Sequence, residues 1–240
     1  MSQFPNVRTK PLDYGTDDRV TFNFFNAVYS WMAVGLAVTA VVAWVSSQSQ
    51  MMLDLMYGSR IVMIACALGM MAIAMGVQGA ALRISAAAGT ALFLLYAALM
   101  GVLISAIFVA YPLPMLGGAF LITGGVFGGM SVYGFLTGRD LTSMGSMLIM
   151  GLWGLFLASI VNIFMHNNAL GWIITYGVLL VVMGLTAYYT QMLKGIAEQT
   201  RGNPNLAARY AVIGSLLLYI SFINLFLSIL QIMGGNGRRR

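Results

Sequence analysis

The sequence predicts an all-α integral membrane protein with seven transmembrane helices. Of its 240 residues, 60% are hydrophobic and only 8% are charged, whereas roughly a quarter of the residues in a soluble domain are charged. The apolar residues also fall into long runs, separated by charges, prolines or polar clusters. About 20 apolar residues in a helix cross the hydrocarbon layer of a bilayer, so each run is long enough to span it.

The runs follow one another with short connections. Residues 1–27 are mostly polar and are predicted to form a cytoplasmic tail, and residues 234–240 form a basic C-terminal tail. Pro112 and Pro114 separate the third run from the fourth, because proline cannot continue a helix from its interior. The seven predicted segments are 28–46, 61–79, 86–110, 113–136, 144–165, 170–194 and 211–233.

The basic residues predict the orientation, since short cytoplasmic loops are rich in Lys and Arg. With the amino terminus in the cytoplasm, that side holds eight basic residues and the other side holds Arg60 and the three tail arginines. A re-entrant last segment would return those arginines to the cytoplasm. We expect a full crossing, because the last segment is long and uncharged. The eight are Arg8, Lys10, Arg19, Arg83, Arg139, Lys194, Arg201 and Arg209.

Polar side chains inside the runs are the candidate functional residues, because each needs a partner away from lipid. In the last segment Ser221, Asn224, Ser228 and Gln231 recur at helical spacing and share one face. Two interpretations stay open: interhelical hydrogen bonds of about 0.6 kcal/mol each, which we favour, or a polar path through the bundle. The predicted polar lining is Asn162, Thr186, Thr190, Asn224 and Ser228.

Composition and spacing argue against several functions. No acidic residue, lysine or histidine lies near a segment midpoint, which argues against a proton pump. The single cysteine, Cys66, permits no intrachain disulfide, and His166 has no ligand-type neighbour for a metal site. No nucleophile–base pair or phosphate loop points to an enzyme or a cofactor. The basic residues form no stripe with aromatics, so no nucleic-acid partner is expected.

The fourth segment is rich in glycine. Gly124 and Gly128, like Gly125 and Gly129, are four residues apart, and such small-xxx-small pairs let two helices approach closely. We expect them to pack within the bundle, with a dimer interface as the alternative.

Several stretches give the chain a family resemblance. The most specific is Leu218-Tyr-Ile-Ser-Phe-Ile-Asn-Leu-Phe226, and Ser131-Val-Tyr-Gly-Phe-Leu-Thr-Gly-Arg-Asp-Leu141 and Gly184-Leu-Thr-Ala-Tyr188 support it. With these the chain resembles the Bax inhibitor-1 (transmembrane Bax inhibitor motif) family, and its compact bacterial members in particular. The resemblance implies a seven-helix bundle with the last helix central, in a bacterial plasma membrane.

The resemblance also implies an activity. Family members are described as pH-sensitive calcium leaks and as suppressors of cell death or membrane proteolysis, so calcium ions and other membrane proteins are the implied partners beside the lipid bilayer. The leak is attributed to two aspartates on the last two helices. Two nearby carboxyls share a proton, and losing it would drive the helices apart.

This chain lacks both aspartates. By resemblance, Tyr189 and Ser221 occupy their positions. A tyrosine hydroxyl ordinarily titrates at about pH 10, and serine does not titrate in the relevant range, so proton gating should be weakened or absent. A hydrogen bond between the two hydroxyls is our hypothesis for what holds the helices together instead.

Three functions therefore remain in view. The first is a calcium leak or channel-like protein of the family type. The second is a non-conducting regulator of membrane proteins or of a membrane protease. The third is a transporter for an uncharged solute that uses the polar face of the last segment.

Overall fold

The computed structural model describes residues 14–58, 60–79 and 85–237, and every regular element within these ranges is an α-helix. The prediction of an all-α protein is confirmed. Residues 1–13 and 238–240 of the predicted tails, and with them Arg8 and Lys10, lie outside the described residues, as does Arg83. The helices are α1 Tyr14–Ser47, α2 Gln50–Tyr57, α3 Arg60–Gly79, α4 Ala86–Ile104, α5 Ala106–Ala110, α6 Leu113–Leu136, α7 Thr142–Met165, α8 Asn168–Gln199 and α9 Pro204–Gly237.

Six helical stretches in the described part of the chain are long and apolar enough to cross a membrane. They correspond to six of the seven predicted segments. The stretch Ala86–Ala110 combines α4 and α5, which are separated by a local irregularity at Ser105. The remaining predicted segment, 61–79, coincides with α3, a helix of 20 residues.

The helices are longer than the predicted segments. Helix α1 begins at Tyr14 rather than at residue 28, and it places Phe24 and Phe25 in the core. Part of the predicted polar tail is therefore helical. The reason is that hydropathy detects the lipid-immersed part of a helix, whereas the backbone hydrogen bonds continue into the aqueous boundary. For the same reason α8 extends to Gln199 and α9 begins at Pro204.

Helix α9 is the centre of the bundle. In its most apolar stretch 72% of the residues are buried, against 28% or less in the other candidate spans. It contacts α1, α3, α4, α6 and α8, and Leu216, Leu218, Tyr219 and Leu225 are fully buried. Apolar residues surround most of the circumference of α9, so the helix has no preferred lipid-facing side, and this suits it to a position enclosed by the others.

Close approaches between helices occur at particular glycines. A Cβ at Gly101 of α4 would lie 2.7 Å from the Thr39 carbonyl oxygen of α1, and one at Gly134 of α6 would collide with the Ala187 carbonyl of α8. These are backbone contacts, so no side chain could move aside. Gly101 and Gly134 therefore allow α4 to lie against α1 and α6 against α8.

The glycine pairs of the fourth segment do not pack in this way. Nothing lies within 4 Å of a Cβ placed at any of the four, so the expectation that they pack within the bundle was wrong. The buried side of α6 is a different face, formed by Leu116, Ala119, Thr123, Phe127, Ser131 and Gly134. The four exceptions to the expected packing are Gly124, Gly125, Gly128 and Gly129.

Candidate functional site

Tyr189 and Ser221, the two residues expected by resemblance at the family's aspartate positions, lie on neighbouring helices. Ser221 on α9 is 3% exposed, and Tyr189 on α8 is half-buried and packs against the hydrophobic core. Helices α8 and α9 are in contact along their length. Neither residue is fully exposed on the outer surface, and both remain candidates for a site between the two helices.

The hypothesised hydrogen bond between these residues is not formed. The Ser221 hydroxyl donates to the Leu217 carbonyl at 3.1 Å, and no hydrogen bond among the described residues joins it to Tyr189. The Tyr189 ring instead lies against that of Tyr188, with centroids 5.4 Å apart. A serine on a helix can bond the carbonyl four residues earlier without help from a neighbouring helix, and Ser221 does so here.

The other predicted lining residues behave similarly. Thr186 and Thr190 donate to the carbonyls of Val182 and Thr186 at 2.8 and 2.9 Å. Asn224 donates through Nδ2 to the Ile220 carbonyl at 2.8 Å. These bonds lie within single helices, so they do not themselves hold helices together. Ser228 lies buried on α9.

Asn162 has a different position, at the turn between α7 and α8. Its side-chain oxygen accepts a hydrogen bond from the Asn167 backbone N–H at 3.1 Å. Its backbone carbonyl accepts one from the His166 backbone N–H at 2.9 Å. His166 adopts a left-handed conformation with φ of 50° and ends α7. Asn162 thus orders this turn.

Two cavities receive polar groups of α7, α8 and α9. One has a volume of about 350 Å³ and is lined by Asn224 and Ser159 among apolar side chains. The other, about 1090 Å³, is lined by Gln231 and Asn162. Thr175 bridges α8 to α9 by donating to the Gln231 side-chain oxygen at 3.0 Å. Part of the polar face of α9 therefore borders these cavities as well as neighbouring side chains.

The polar face is closed beyond Ser221. Leu193 of α8 is 1% exposed and packs onto Gly214 of α9, where a Cβ would lie 2.6 Å from a Leu193 methyl group. We call this contact the Leu193–Gly214 seal. Gly214 precedes Ser221 by two helical turns on the same face, so the seal interrupts the row of polar groups that begins at Gln231.

The sequence did not lead us to the most buried polar cluster. The Tyr219 hydroxyl, on a fully buried side chain, is hydrogen-bonded to Thr39 Oγ1 of α1. That oxygen also lies 2.9 Å from the Gly35 and Ala97 carbonyls, and Phe93 packs edge-on against the Tyr219 ring at 5.5 Å. The cluster joins α1, α4 and α9. A threonine in the middle of an apolar run was the available signal.

The sequence also did not predict the contacts of Gln191. Its side-chain oxygen accepts the Leu141 N–H at 2.8 Å, and its amide donates to the Arg139 carbonyl at 2.7 Å. The end of α8 thereby holds the α6–α7 loop. In that loop, hydrogen bonds from the side chain and the backbone of Thr142 lower the pKa of the exposed Asp140 carboxyl, which keeps it ionised at the start of α7.

The site offers hydrogen bonds but no charge. Among the described residues, no three His, Cys, Asp or Glu side chains converge in a way that could hold a metal ion. From Gln231 to Ser221 the polar groups on the inner face of α9 are amides and hydroxyls. Such groups can stabilise water or weakly coordinate a cation, but they do not exchange protons near neutral pH.

Comparison with known proteins gives consistent matches over the chain. The sequence profile of the family described as inhibitor of apoptosis-promoting Bax1 matches residues 21–238. The inner membrane protein YbhL of Escherichia coli K12 is 43% identical over 209 residues, which cover 86% of this chain and 89% of the relative. A protein of Deinococcus radiodurans is 39% identical over 238 residues, covering 99% and 98%. Similarity thus extends through all the helices described above.

Proposed function

Because this chain belongs to the Bax inhibitor-1 family of integral membrane proteins, we propose that it is a calcium leak whose opening does not depend on an acid pair. One observation carries this proposal. Tyr189 and Ser221, which by resemblance occupy the positions of the family's two aspartates, lie on the contacting helices α8 and α9, where Ser221 is buried and Tyr189 is half-buried. Neither side chain titrates between pH 5 and 8. The leak would therefore be nearly independent of pH.

The proposed route follows the inner face of α9. It passes the cavity lined by Gln231 and Asn162 and the cavity lined by Asn224 and Ser159. The Leu193–Gly214 seal closes it beyond Ser221. Opening then needs a small separation of α8 from α9, and no carboxylate is present there to hold calcium strongly. We expect a slow flux.

Purified protein in liposomes tests the proposal through calcium efflux between pH 5 and 8. We expect a slow flux with little pH dependence. In a variant with Tyr189→Asp and Ser221→Asp, the carboxyls would share a proton at low pH and repel each other once it is lost. Flux in that variant should rise with pH. The matched control, Tyr189→Phe with Ser221→Ala, should behave like the unmodified protein.

Strong pH gating in the unmodified protein would contradict the proposal, because no acid pair is available to produce it. Absence of flux in both the unmodified protein and the double-aspartate variant would favour the second candidate, a non-conducting regulator of membrane proteins or of a membrane protease. The open glycine face of α6 supports that candidate, since small residues allow another helix to approach closely. Crosslinking from Gly125→Cys in native membranes would test it.

The membrane arrangement is part of the proposal. We propose that α3 is the seventh crossing and that the amino terminus is cytoplasmic, in a bacterial inner membrane like that of the E. coli relative. Seven crossings place the carboxyl terminus on the opposite side. Alkaline phosphatase fused after Arg240 should then be active outside the cytoplasm, and the same enzyme inserted at Gly138 should be inactive. Activity of the phosphatase inserted at Gly138 would instead show that the protein has the opposite orientation in the membrane.

A further inference from the structure

A third cavity lies at the end of the bundle where α1 begins and where α6 and α8 end. Its volume is about 770 Å³. Three basic side chains and one acidic side chain line it, so its charge is positive overall. The rest of its wall is largely aromatic and aliphatic. The charged residues are Arg19, Lys194, Arg201 and Glu198, and the apolar wall includes Phe22, Phe25, Tyr29, Val132, Phe135 and Leu136.

Ser131 of α6 lines the same cavity and is 6% exposed. Among the buried side-chain oxygens and nitrogens of the described residues, the Ser131 hydroxyl is the one that lacks a hydrogen-bond partner. Eight other hydroxyls on the spanning helices donate to the carbonyl four residues earlier. These are Thr39, Thr123, Ser159, Thr175, Thr186, Thr190, Ser215 and Ser221.

Ser131 therefore differs from these counterparts, and it does so beside a cavity that carries positive charge. Leaving a buried hydroxyl unpaired is unfavourable, because the hydrogen bonds that it made to water in the unfolded chain are not replaced. A ligand that brings an acceptor oxygen into the cavity would remove that cost.

Lys194 is already held at this cavity. Its ammonium group donates to the Phe135 carbonyl at 3.2 Å and lies 4.8 Å from the centre of the Phe135 ring. One hydrogen bond leaves two N–H donors of the ammonium for another partner. The cation is thus positioned between the ends of α6 and α8 without being fully satisfied.

The apolar wall continues onto the outer surface of the bundle. Phe22 is 72% exposed and Leu136 is 73% exposed, and both lie on candidate membrane spans, where acyl chains would cover them. A soluble anion would use the charges of the cavity but not this surface. An amphiphile with an anionic head and an apolar tail would use both.

We propose that this cavity binds the phosphate headgroup of an anionic membrane phospholipid, with an acyl chain lying along Phe22 and Leu136. Arg19 and Lys194 bind the phosphate, and Ser131 donates to one of its oxygens. Basic pockets between the ends of transmembrane helices are suited to such headgroups. This inference goes beyond the proposed leak and does not depend on it.

Native mass spectrometry of the full protein in a neutral detergent tests the proposal. Dioleoylphosphatidylglycerol should remain bound at concentrations at which dioleoylphosphatidylcholine does not. Arg19→Gln and Lys194→Gln should each weaken phosphatidylglycerol binding about fivefold, because a basic group near an anionic lipid surface contributes about 1 kcal/mol. Arg139→Gln is the matched control: it removes the same charge at the same end of the bundle, outside the cavity, and should change nothing.

Ser131→Ala should also weaken binding, by about fivefold for one hydrogen bond, with no loss of thermal stability, because the hydroxyl has no partner to lose. Lys194→Arg keeps the positive charge and should therefore bind phosphatidylglycerol as the unmodified protein does. A separate arm uses inorganic phosphate. Equal affinity for phosphate would show a soluble-anion site and overturn the lipid assignment. Equal retention of the two lipids, or an equal effect of Arg139→Gln, would overturn the cavity as the site.

Discussion

At the scale of single residues, most polar side chains in the spanning helices bond to their own backbone. Thr186, Thr190, Ser221 and Asn224 each donate to the carbonyl four residues earlier. A polar group satisfied in this way tolerates either a neighbouring helix or a water-filled space. The cluster of Thr39 and Tyr219 is different, because it joins helices that are distant in the chain.

Substitutions in this cluster should have unequal effects on stability. Tyr219→Phe removes the hydroxyl itself and leaves Thr39 two nearby carbonyl acceptors, so we expect a loss of about 0.6–1 kcal/mol. Thr39→Val leaves the fully buried Tyr219 hydroxyl unpaired and should cost about 1–3 kcal/mol. Unfolding of the purified protein in mixed micelles with increasing dodecyl sulfate measures both. A larger loss for Tyr219→Phe than for Thr39→Val would contradict this account.

Gln191 should control the α6–α7 loop locally. Gln191→Ala removes both hydrogen bonds to the backbone at Arg139 and Leu141, so the loop should open more often and trypsin should cleave after Arg139 faster. Cleavage after Arg201, in the α8–α9 loop, serves as a control within the same digestion. If cleavage became equally faster at both sites, the substitution would have loosened the whole bundle instead.

At the scale of helices, the role of a glycine depends on the face that carries it. Gly134 lies on the buried face of α6 against the α8 backbone, whereas Gly125 lies on the open face. Helical spacing shows that Gly124 and Gly128 share a face, but it does not show whether another helix meets that face.

The same substitution at these two glycines should therefore differ sharply. Gly134→Ala forces α6 away from Ala187 and should destabilise the protein by about 1–3 kcal/mol. Gly125→Ala meets nothing and should be neutral or stabilising by up to about 1 kcal/mol, because alanine favours helix more than glycine. The dodecyl sulfate titration compares them directly. A strong loss at Gly125 would indicate that a second copy or another protein covers this face.

At the scale of the whole molecule, much of the architecture was predictable. Six of the seven predicted segments are long and apolar enough to span, and the last helix, expected by resemblance to be central, is the most buried of the candidate spans. Contacts were less predictable, because hydropathy carries no information about which distant residues meet. Thr39 and Tyr219 lie 180 residues apart. The unformed Tyr189–Ser221 bond shows the same limit, since matching positions on two helices does not set the direction of a hydroxyl.

The Leu193–Gly214 seal leads to a prediction about calcium flux through the bundle. Leu193→Ala removes the side chain that closes the polar face of α9, so calcium efflux from liposomes should increase several-fold. Leu185→Ala is the matched control, because Leu185 is an equally buried leucine of α8 away from the seal. Both variants should lose similar stability, about 2–5 kcal/mol. Equal flux from the two would place the barrier elsewhere.

The central position of α9 has a consequence for biogenesis. Translation proceeds from the amino terminus, so the helix at the middle of the assembly leaves the ribosome after α1 to α8. The earlier helices enter the bilayer without the partner around which they will pack. They must therefore remain loosely associated, with space left among them, until α9 arrives. A nascent chain stalled before Pro204 should accordingly be recognised by membrane quality control, whereas the finished protein should not.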